Sequence, residues 1–184
     1  LEHNANTLID HLQKKNVDEL GMFLTDLDKE EKKELLKSVY LCVEGNFEPL
    51  VYACIKEGKS NQILKLLLEN GADPNQKTNN KMGFSPLHQA IARHNLEAVK
   101  FLLKNGGADL EAKSKTGNTP LMFAAWCGDD GGDPKIKLQI LNYLIKKGAA
   151  LDAKNKKMRT AMHWAAQENW VEALQAIHNA RLAN

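Results

Sequence analysis

Six histidines and three cysteines are among the side chains of this 184-residue chain whose chemistry could support catalysis. Histidine transfers protons near neutral pH and cysteine acts as a nucleophile, but each needs a partner group at a defined spacing. The chain contains no HExxH, GxSxG, GxxxxGK[ST] or GxGxxG pattern. No cysteine lies near a histidine in a recognisable nucleophile signature. We therefore expect no enzymatic activity, no catalytic residues and no cofactor.

Three aspartates lie close together in the stretch GDDGGDPK at positions 128–135. Carboxylates are calcium ligands, but the order of ligands that an EF-hand requires is absent. Short clusters of Gly and Asp are typical of surface loops. We favour a plain surface loop over a calcium site for Asp129, Asp130 and Asp133, and we predict no metal site in the chain.

Two of the histidines occupy the fourth position of a motif that recurs along the chain. The motif is SPLH at Ser85 and TAMH at Thr160, and related stretches begin with EPLV at Glu48 and TPLM at Thr119. Ser or Thr followed by Pro is typical of a helix N-cap and of the first helical position. The motif therefore predicts a helix start at four places, at intervals of 37, 34 and 41 residues.

A second helix follows the first in the clearest copy, Phe84 to Leu110. Asn95 is the predicted cap, and the apolar residues after it fall on one face: Leu96, Val99, Leu102 and Leu103. Gly106 and Gly107 are expected to end this helix because left-handed backbone angles suit glycine. The ending LLLENGADPNQK (66–77) recurs at 101–113 and 143–154. Such a helix pair cannot bury its own apolar face, so it needs neighbours of the same shape.

These motifs resemble the ankyrin repeat. The resemblance covers about residues 45–184, as repeats at 45–80, 81–114, 115–154 and 155–184, and it implies an all-α solenoid of stacked helix-turn-helix units with short hairpin fingers. It also implies that His88 and His163 are structural hydrogen-bonding groups that tie neighbouring fingers together, whereas Val51 and Met122 lack this tie. The fourth repeat departs from the pattern, with Met158 in place of a turn glycine and Ala161 in place of proline.

Residues 1–44 do not match the repeat and are predicted to form a helical cap with an inserted helix. We expect a helix from Thr7 to Lys15, a second that Asn16 caps and that runs through Leu27, and a third over residues 28–44. Asp28 and Glu31 form a predicted capping box for the third helix. Its apolar face favours packing along the solenoid, although a position in the groove that regulates access stays open: Leu35, Leu36, Val39, Tyr40 and Val43.

Charge and composition limit the classes of partner. The net charge of +2 is too small to favour nucleic acid or an anionic membrane. No apolar run approaches the ~20 residues of a membrane span, and no signal-peptide pattern is present. The odd number of cysteines is typical of free thiols in a reducing compartment. We expect an intracellular protein, cytoplasmic or nuclear, that is monomeric. No Met begins the sequence, so whether it is a fragment of a longer protein stays open at this point.

The resemblance implies binding through the finger tips and the exposed side of the first helices. On the fingers it selects Lys81, Met82 and Phe84, then Lys115, Thr116 and Asn118, and finally Lys156, Lys157 and Arg159. On the first helices it selects Arg93, Phe123, Trp126, Trp164 and Glu168. Exposed Trp is a common interface anchor. Two interpretations stay open for Phe123, as core of the groove or as a binding residue, whereas for Trp126 the binding interpretation is favoured.

These residues predict a scaffold-like protein-binding module. Its partner would be a peptide segment with apolar anchors and acidic residues, which would meet the aromatic and the basic groups respectively. Three alternatives stay open. The chain could be the targeting arm of a larger enzyme or secreted effector, a reader of methylated lysine that uses an aromatic cage with Glu168 nearby, or a purely structural spacer, which the aromatic residues of the groove disfavour.

Overall fold

The computed structural model of the protein describes residues 2–14, 16–38, 60–78, 81–105, 107–126 and 132–183. Within these ranges the chain forms ten helices and no strand. The helices are α1 (Glu2–Lys14), α2 (Val17–Asp26), α3 (Lys29–Ser38), α4 (Ser60–Glu69), α5 (Pro86–Ala92), α6 (Leu96–Lys104), α7 (Pro120–Trp126), α8 (Pro134–Lys146), α9 (Ala161–Gln167) and α10 (Val171–Leu182).

The pair α5–α6 illustrates how the sequence builds the repeating unit. Ser85 caps α5, whose first residue is Pro86, as predicted. His94, with φ of 53°, reverses the chain, and the Asn95 side chain then accepts a hydrogen bond from Ala98 N at 3.0 Å. The apolar side chains of both helices point to a common interior, in which Leu87, Ile91, Val99 and Leu102 are buried. The pairs α7–α8 and α9–α10 repeat this arrangement.

The pairs stack side by side into a two-layer solenoid. The short helices α5, α7 and α9 pack against one another in one layer, and the longer helices α4, α6, α8 and α10 pack in the other. One continuous apolar core runs between the layers, from Leu8 near the N-terminus to Ile177 in α10. The all-α solenoid expected from the repeats is therefore confirmed.

The N-terminal helices differ from the prediction in two boundaries. Helix α1 begins at Glu2 rather than at Thr7, whose hydroxyl donates to His3 O within the helix. Helix α2 ends at Asp26, with Leu27 as its C-cap. Asn16 caps α2 as expected, accepting from Glu19 N. Both hydrogen bonds of the capping box between Asp28 and Glu31 are present.

Helix α3 packs against α1, and its Leu35 and Leu36 join the common core. This contact agrees with the expectation that the inserted helix covers the solenoid. The remainder of the predicted third helix lies outside the described residues, together with Val39, Tyr40 and Val43. The first helix of the first repeat, which begins near Glu48, also lies outside them.

In the C-terminal half, two helices extend beyond their predicted bounds. Asp133 caps α8 by accepting from Lys135 N at 2.8 Å, so the loop predicted at 128–135 ends two residues earlier. Asp129 and Asp130 lie outside the described residues. Helix α10 continues past His178 to Leu182, and Arg181 near its end pairs with Asp152 at 3.4 Å.

Candidate partner-binding groove

Three fingers connect the helix pairs and lie side by side. Their turn residues Gly83, Gly117 and Met158 have φ values of 59°, 83° and 60°, which confirms that Met158 takes the place of a turn glycine. Lys115 N donates to Met82 O at 2.9 Å, and Lys156 N donates to Thr116 O at 3.1 Å. Each finger is thus hydrogen-bonded to the preceding one, and together they form one continuous edge.

Buried polar side chains hold each finger closed at its base. Thr78 Oγ1 accepts from Phe84 N at 2.8 Å, Ser114 Oγ accepts from Asn118 N at 3.1 Å, and Asn155 Oδ1 accepts from Arg159 N at 3.0 Å. The three residues occupy the same position in successive fingers and all are buried. Their hydrogen bonds satisfy backbone groups that burial would otherwise leave unpaired.

His88 ties the second repeat to the next finger, which carries Asn118. Its Nδ1 lies 2.8 Å from Ser85 Oγ, and its Nε2 lies 3.1 Å from Asn118 O. Since a carbonyl oxygen only accepts, Nε2 carries the proton and Nδ1 is the acceptor. Burial lowers the pKa of His88 to about 4, partly opposed by the hydrogen bond to Asn118 O, and the charge of Lys77 also lowers it. The neutral ring is therefore a structural connector, as the resemblance implied.

His163 makes only the local half of this network. Its Nδ1 lies 2.8 Å from Thr160 Oγ1, and Thr160 N donates to it at 3.2 Å. The residue is exposed, and among the described residues its Nε2 has no hydrogen-bond partner. The expected tie between fingers is thus formed by His88, whereas His163 forms only its own capping interaction.

Five rings form a row along the first helices. Phe84 stacks on His88 with 5.6 Å between ring centroids, and Phe84 lies 4.7 Å from Phe123. Phe123 lies 5.4 Å from Trp126, and Trp126 lies 5.7 Å from Trp164. Tilted aromatic pairs at such distances are favourable contacts. The row is a continuous series of ring contacts from the second repeat to the fourth.

A cavity of about 370 Å³ lies where the end of this row meets the fingers. We call it the groove, and its lining residues are Met82, Lys115, Thr116, Asn118, Trp126, Asn155, Lys156, Lys157 and Trp164. Three lysines and no carboxylate contribute to this lining. In the described part of the chain, none of the three forms an ion pair. The groove thus combines apolar walls with positive charge that no acidic residue of the described ranges pairs with.

The groove brings together eight of the residues that the sequence selected: Met82, Lys115, Thr116, Asn118, Trp126, Lys156, Lys157 and Trp164. The others do not line it: Lys81, Phe84, Arg93, Phe123, Arg159 and Glu168. Lys81 and Arg93 are exposed elsewhere, and Phe84 and Glu168 are partly buried. Phe123 is only 3% exposed, so its burial favours the interpretation as groove core, and it supports Trp126 from behind.

The exposure of the two groove tryptophans also differs from the expectation. Trp126 and Trp164 are partly buried rather than fully exposed, because each packs on a neighbouring ring and on the core. The Arg159 guanidinium lies 5.1 Å from the centre of the Trp164 ring and donates to Gln167 at 2.8 Å. A cation of the protein itself therefore already lies on Trp164.

One contact between fingers is not evident from the sequence pattern. Asn155 Nδ2 donates to Asn118 Oδ1 at 2.6 Å, and both side chains are buried. The repeat pattern places Asn118 on an exposed finger, whereas it lies at the floor of the groove. The sequence signal for a buried role is a small polar residue that recurs directly after a lysine, as at Thr78, Ser114 and Asn155.

Metal binding and membrane insertion find no support in the described part of the chain. It contains no group of three or more His, Cys, Asp or Glu side chains that could hold a metal ion. No helix within it is long and apolar enough to cross a membrane.

The stacked pairs, the fingers and the groove define a repeat solenoid of the class that generally mediates protein–protein interactions. Residues 50–136 match the family model described as ankyrin repeats, in three copies. This part of the chain accordingly consists of ankyrin repeats, and the structure continues the same unit beyond the match, through α9 and α10.

The curated proteins to which this chain is similar are much longer than the chain. The chain is 36% identical over 113 residues to neurogenic locus notch homolog protein 1 of Xenopus laevis, and 37% identical over 109 residues to neurogenic locus notch homolog protein 2 of Homo sapiens. These alignments cover 61% and 59% of this chain but only 4% of each relative. The similarity therefore concerns one short part of those proteins.

Proposed function

We propose that this domain binds a segment of a partner protein in the groove. An apolar anchor of the segment would contact Trp126 and Trp164, and acidic residues would meet Lys115, Lys156 and Lys157. The observation that carries this proposal is the combination of apolar walls and uncompensated positive charge in one cavity. Large aromatic side chains contribute contact area at low entropic cost, and opposite charges steer the approach of a partner.

Charge disfavours the alternative of a methylated-lysine reader. A methylammonium ion would have to enter beside three lysines, and one face of Trp164 already carries the Arg159 guanidinium. Like charges at these distances oppose binding. The targeting arm of a larger enzyme or effector would bind its partner through the same groove. Our proposal of binding in the groove therefore covers that alternative as well.

Selection from a library of random peptides on the intact domain tests the proposal. The selected peptides should be enriched in a large apolar residue beside Asp or Glu. Replacing Trp126 and Trp164 by Ala should weaken their binding by about 2 kcal/mol or more, as expected at an interface hot spot. Because both rings are partly buried, circular dichroism must establish that the double variant keeps its helices.

A charge-reversed domain provides a second test that leaves the core intact. Lys115→Glu, Lys156→Glu and Lys157→Glu change exposed finger residues, and we expect them together to abolish binding of the selected peptides. The matched control carries Lys65→Glu, Lys104→Glu and Lys146→Glu, exposed positions on α4, α6 and α8. If the finger variant and the control retain equal affinity, the groove is not the binding site.

A further inference from the structure

The shape of the groove favours an aromatic ring over a long aliphatic chain. Its volume of about 370 Å³ lies near the lower limit of ligand sites in proteins, roughly 300–1,000 Å³. Trp126 and Trp164 border it with their rings inclined by 54°. A third ring can pack on such a wall edge-to-face or offset, which is the preferred geometry of aromatic contacts. Met82, 38% exposed, completes the apolar side.

The charge of the groove exceeds what one carboxylate would need. Lys115, Lys156 and Lys157 line the same cavity and none has an acidic partner among the described residues. An aspartate or glutamate would bring a single negative charge, whereas a phosphate monoester carries roughly −1.5 to −2 at neutral pH and offers three acceptor oxygens. Lysines serve as flexible point charges for phosphate. Three unopposed lysines around one small cavity therefore match a dianion better.

Building on the proposed function, we infer that the groove takes a phosphorylated aromatic side chain, phosphotyrosine, of the partner segment. The ring packs against Trp126 and Trp164, and the phosphate lies among Lys115, Lys156 and Lys157. Phosphoserine and phosphothreonine supply the charge without a ring to cover the tryptophans. Phosphorylation of the partner would thus strengthen binding, because unmodified tyrosine brings no negative charge to the three ammonium groups.

Titration of the domain with four small probes tests this inference. Phenyl phosphate has the ring and the dianion, phenyl sulfate has the ring and one charge, inorganic phosphate has no ring, and phenol has no charge. We expect phenyl phosphate to bind about tenfold more tightly than any of the others, since one additional charge beside several lysines has an effect of that order. Raising the salt concentration should reduce the difference.

Indole N–H signals in nuclear magnetic resonance spectra report where the probe binds. Signals of Trp126 and Trp164 should shift, because both rings border the cavity. Trp170, which caps α10 away from the groove lining, is the internal reference. The variant with Lys115→Gln, Lys156→Gln and Lys157→Gln should lose the preference, whereas Lys104→Gln with Lys146→Gln should keep it.

Equal affinity for phenyl phosphate and phenyl sulfate would overturn the phosphotyrosine inference, and so would shifts confined to Trp170. The proposed function is judged separately, because the peptide selection uses unphosphorylated segments and its own variants. If the selected peptides bind through the groove but the domain shows no preference for phenyl phosphate, this inference alone is overturned. Peptides that bind the finger variant unchanged would overturn the groove itself.

Discussion

The second and the fourth repeat begin with the same type of motif, SPLH and TAMH, but the two histidines have different surroundings. His88 is fully buried and connects Ser85 to Asn118 of the next finger. His163 is exposed and bonds only within its own motif. The difference lies in the neighbouring unit on the C-terminal side, since a further described finger covers His88 and none covers His163. How much a residue at a given repeat position contributes to stability thus depends on the neighbouring repeat, as expected for a stack with nearest-neighbour contacts.

Replacing each histidine by alanine is the strongest test of this comparison. His88→Ala removes a buried ring and leaves Asn118 O without its donor, so we expect a loss of about 3 kcal/mol in the free energy of unfolding. His163→Ala should cost about 0.5 kcal/mol, because its position is exposed. Urea denaturation followed by circular dichroism measures both. Similar losses for the two variants would refute the comparison.

Acid should destabilise the protein through His88. The pKa of His88 is about 4 in the folded chain and 6.5 is its ordinary value, so between these values the unfolded chain binds more protons. The contribution of His88 to the free energy of unfolding is therefore fully present above the pKa of the unfolded chain, and it is lost as the pH falls toward 4. Between about pH 7 and about pH 5 we expect a loss of about 2 kcal/mol.

The matched variants isolate this contribution from the acidic residues that titrate nearby. His88→Gln should reduce the loss between the two pH values by most of that amount, whereas His163→Gln should leave it unchanged. Denaturation curves of the three proteins at both pH values give the comparison. A wild-type pH dependence that persists in His88→Gln would exclude His88 as its source.

Local sequence rules predicted the helix pairs well, because caps and periodicity act within a few residues. Ser85, Asn95 and the capping box at Asp28 needed no knowledge of the stack. The groove was predicted less well, because its details depend on contacts between distant positions. Phe123 packs against Phe84, which lies 39 residues earlier in the sequence. The buried Asn118 accepts a hydrogen bond from Asn155, which lies 37 residues later.

Two glycines test how contacts with a neighbouring repeat constrain the backbone. A Cβ atom at Gly117 would lie 2.9 Å from Lys156 N, a rigid backbone atom, whereas at Gly148 nothing lies within 4 Å. Both residues have positive φ, 83° and 88°. Gly117→Ala should therefore cost about 2 kcal/mol, and Gly148→Ala about 1 kcal/mol, the backbone cost alone. Equal melting temperatures for the two variants would show that the finger–finger contact yields easily.

Met158 provides the smallest and most specific test, because it occupies the turn position that glycine holds in the two preceding fingers. Its φ of 60° is unfavourable for a side chain with a Cβ atom. Its side chain is 64% exposed, so little packing is lost when it is removed. Met158→Gly should raise the free energy of unfolding by about 0.5–1 kcal/mol, since relief of the left-handed strain outweighs the added freedom of the unfolded chain. The control Met22→Gly, at an exposed position inside helix α2, should lower it by about 1 kcal/mol. If Met158→Gly is also destabilising, the exposed methionine makes a stabilising contact, and this last finger differs from the others in more than its turn residue.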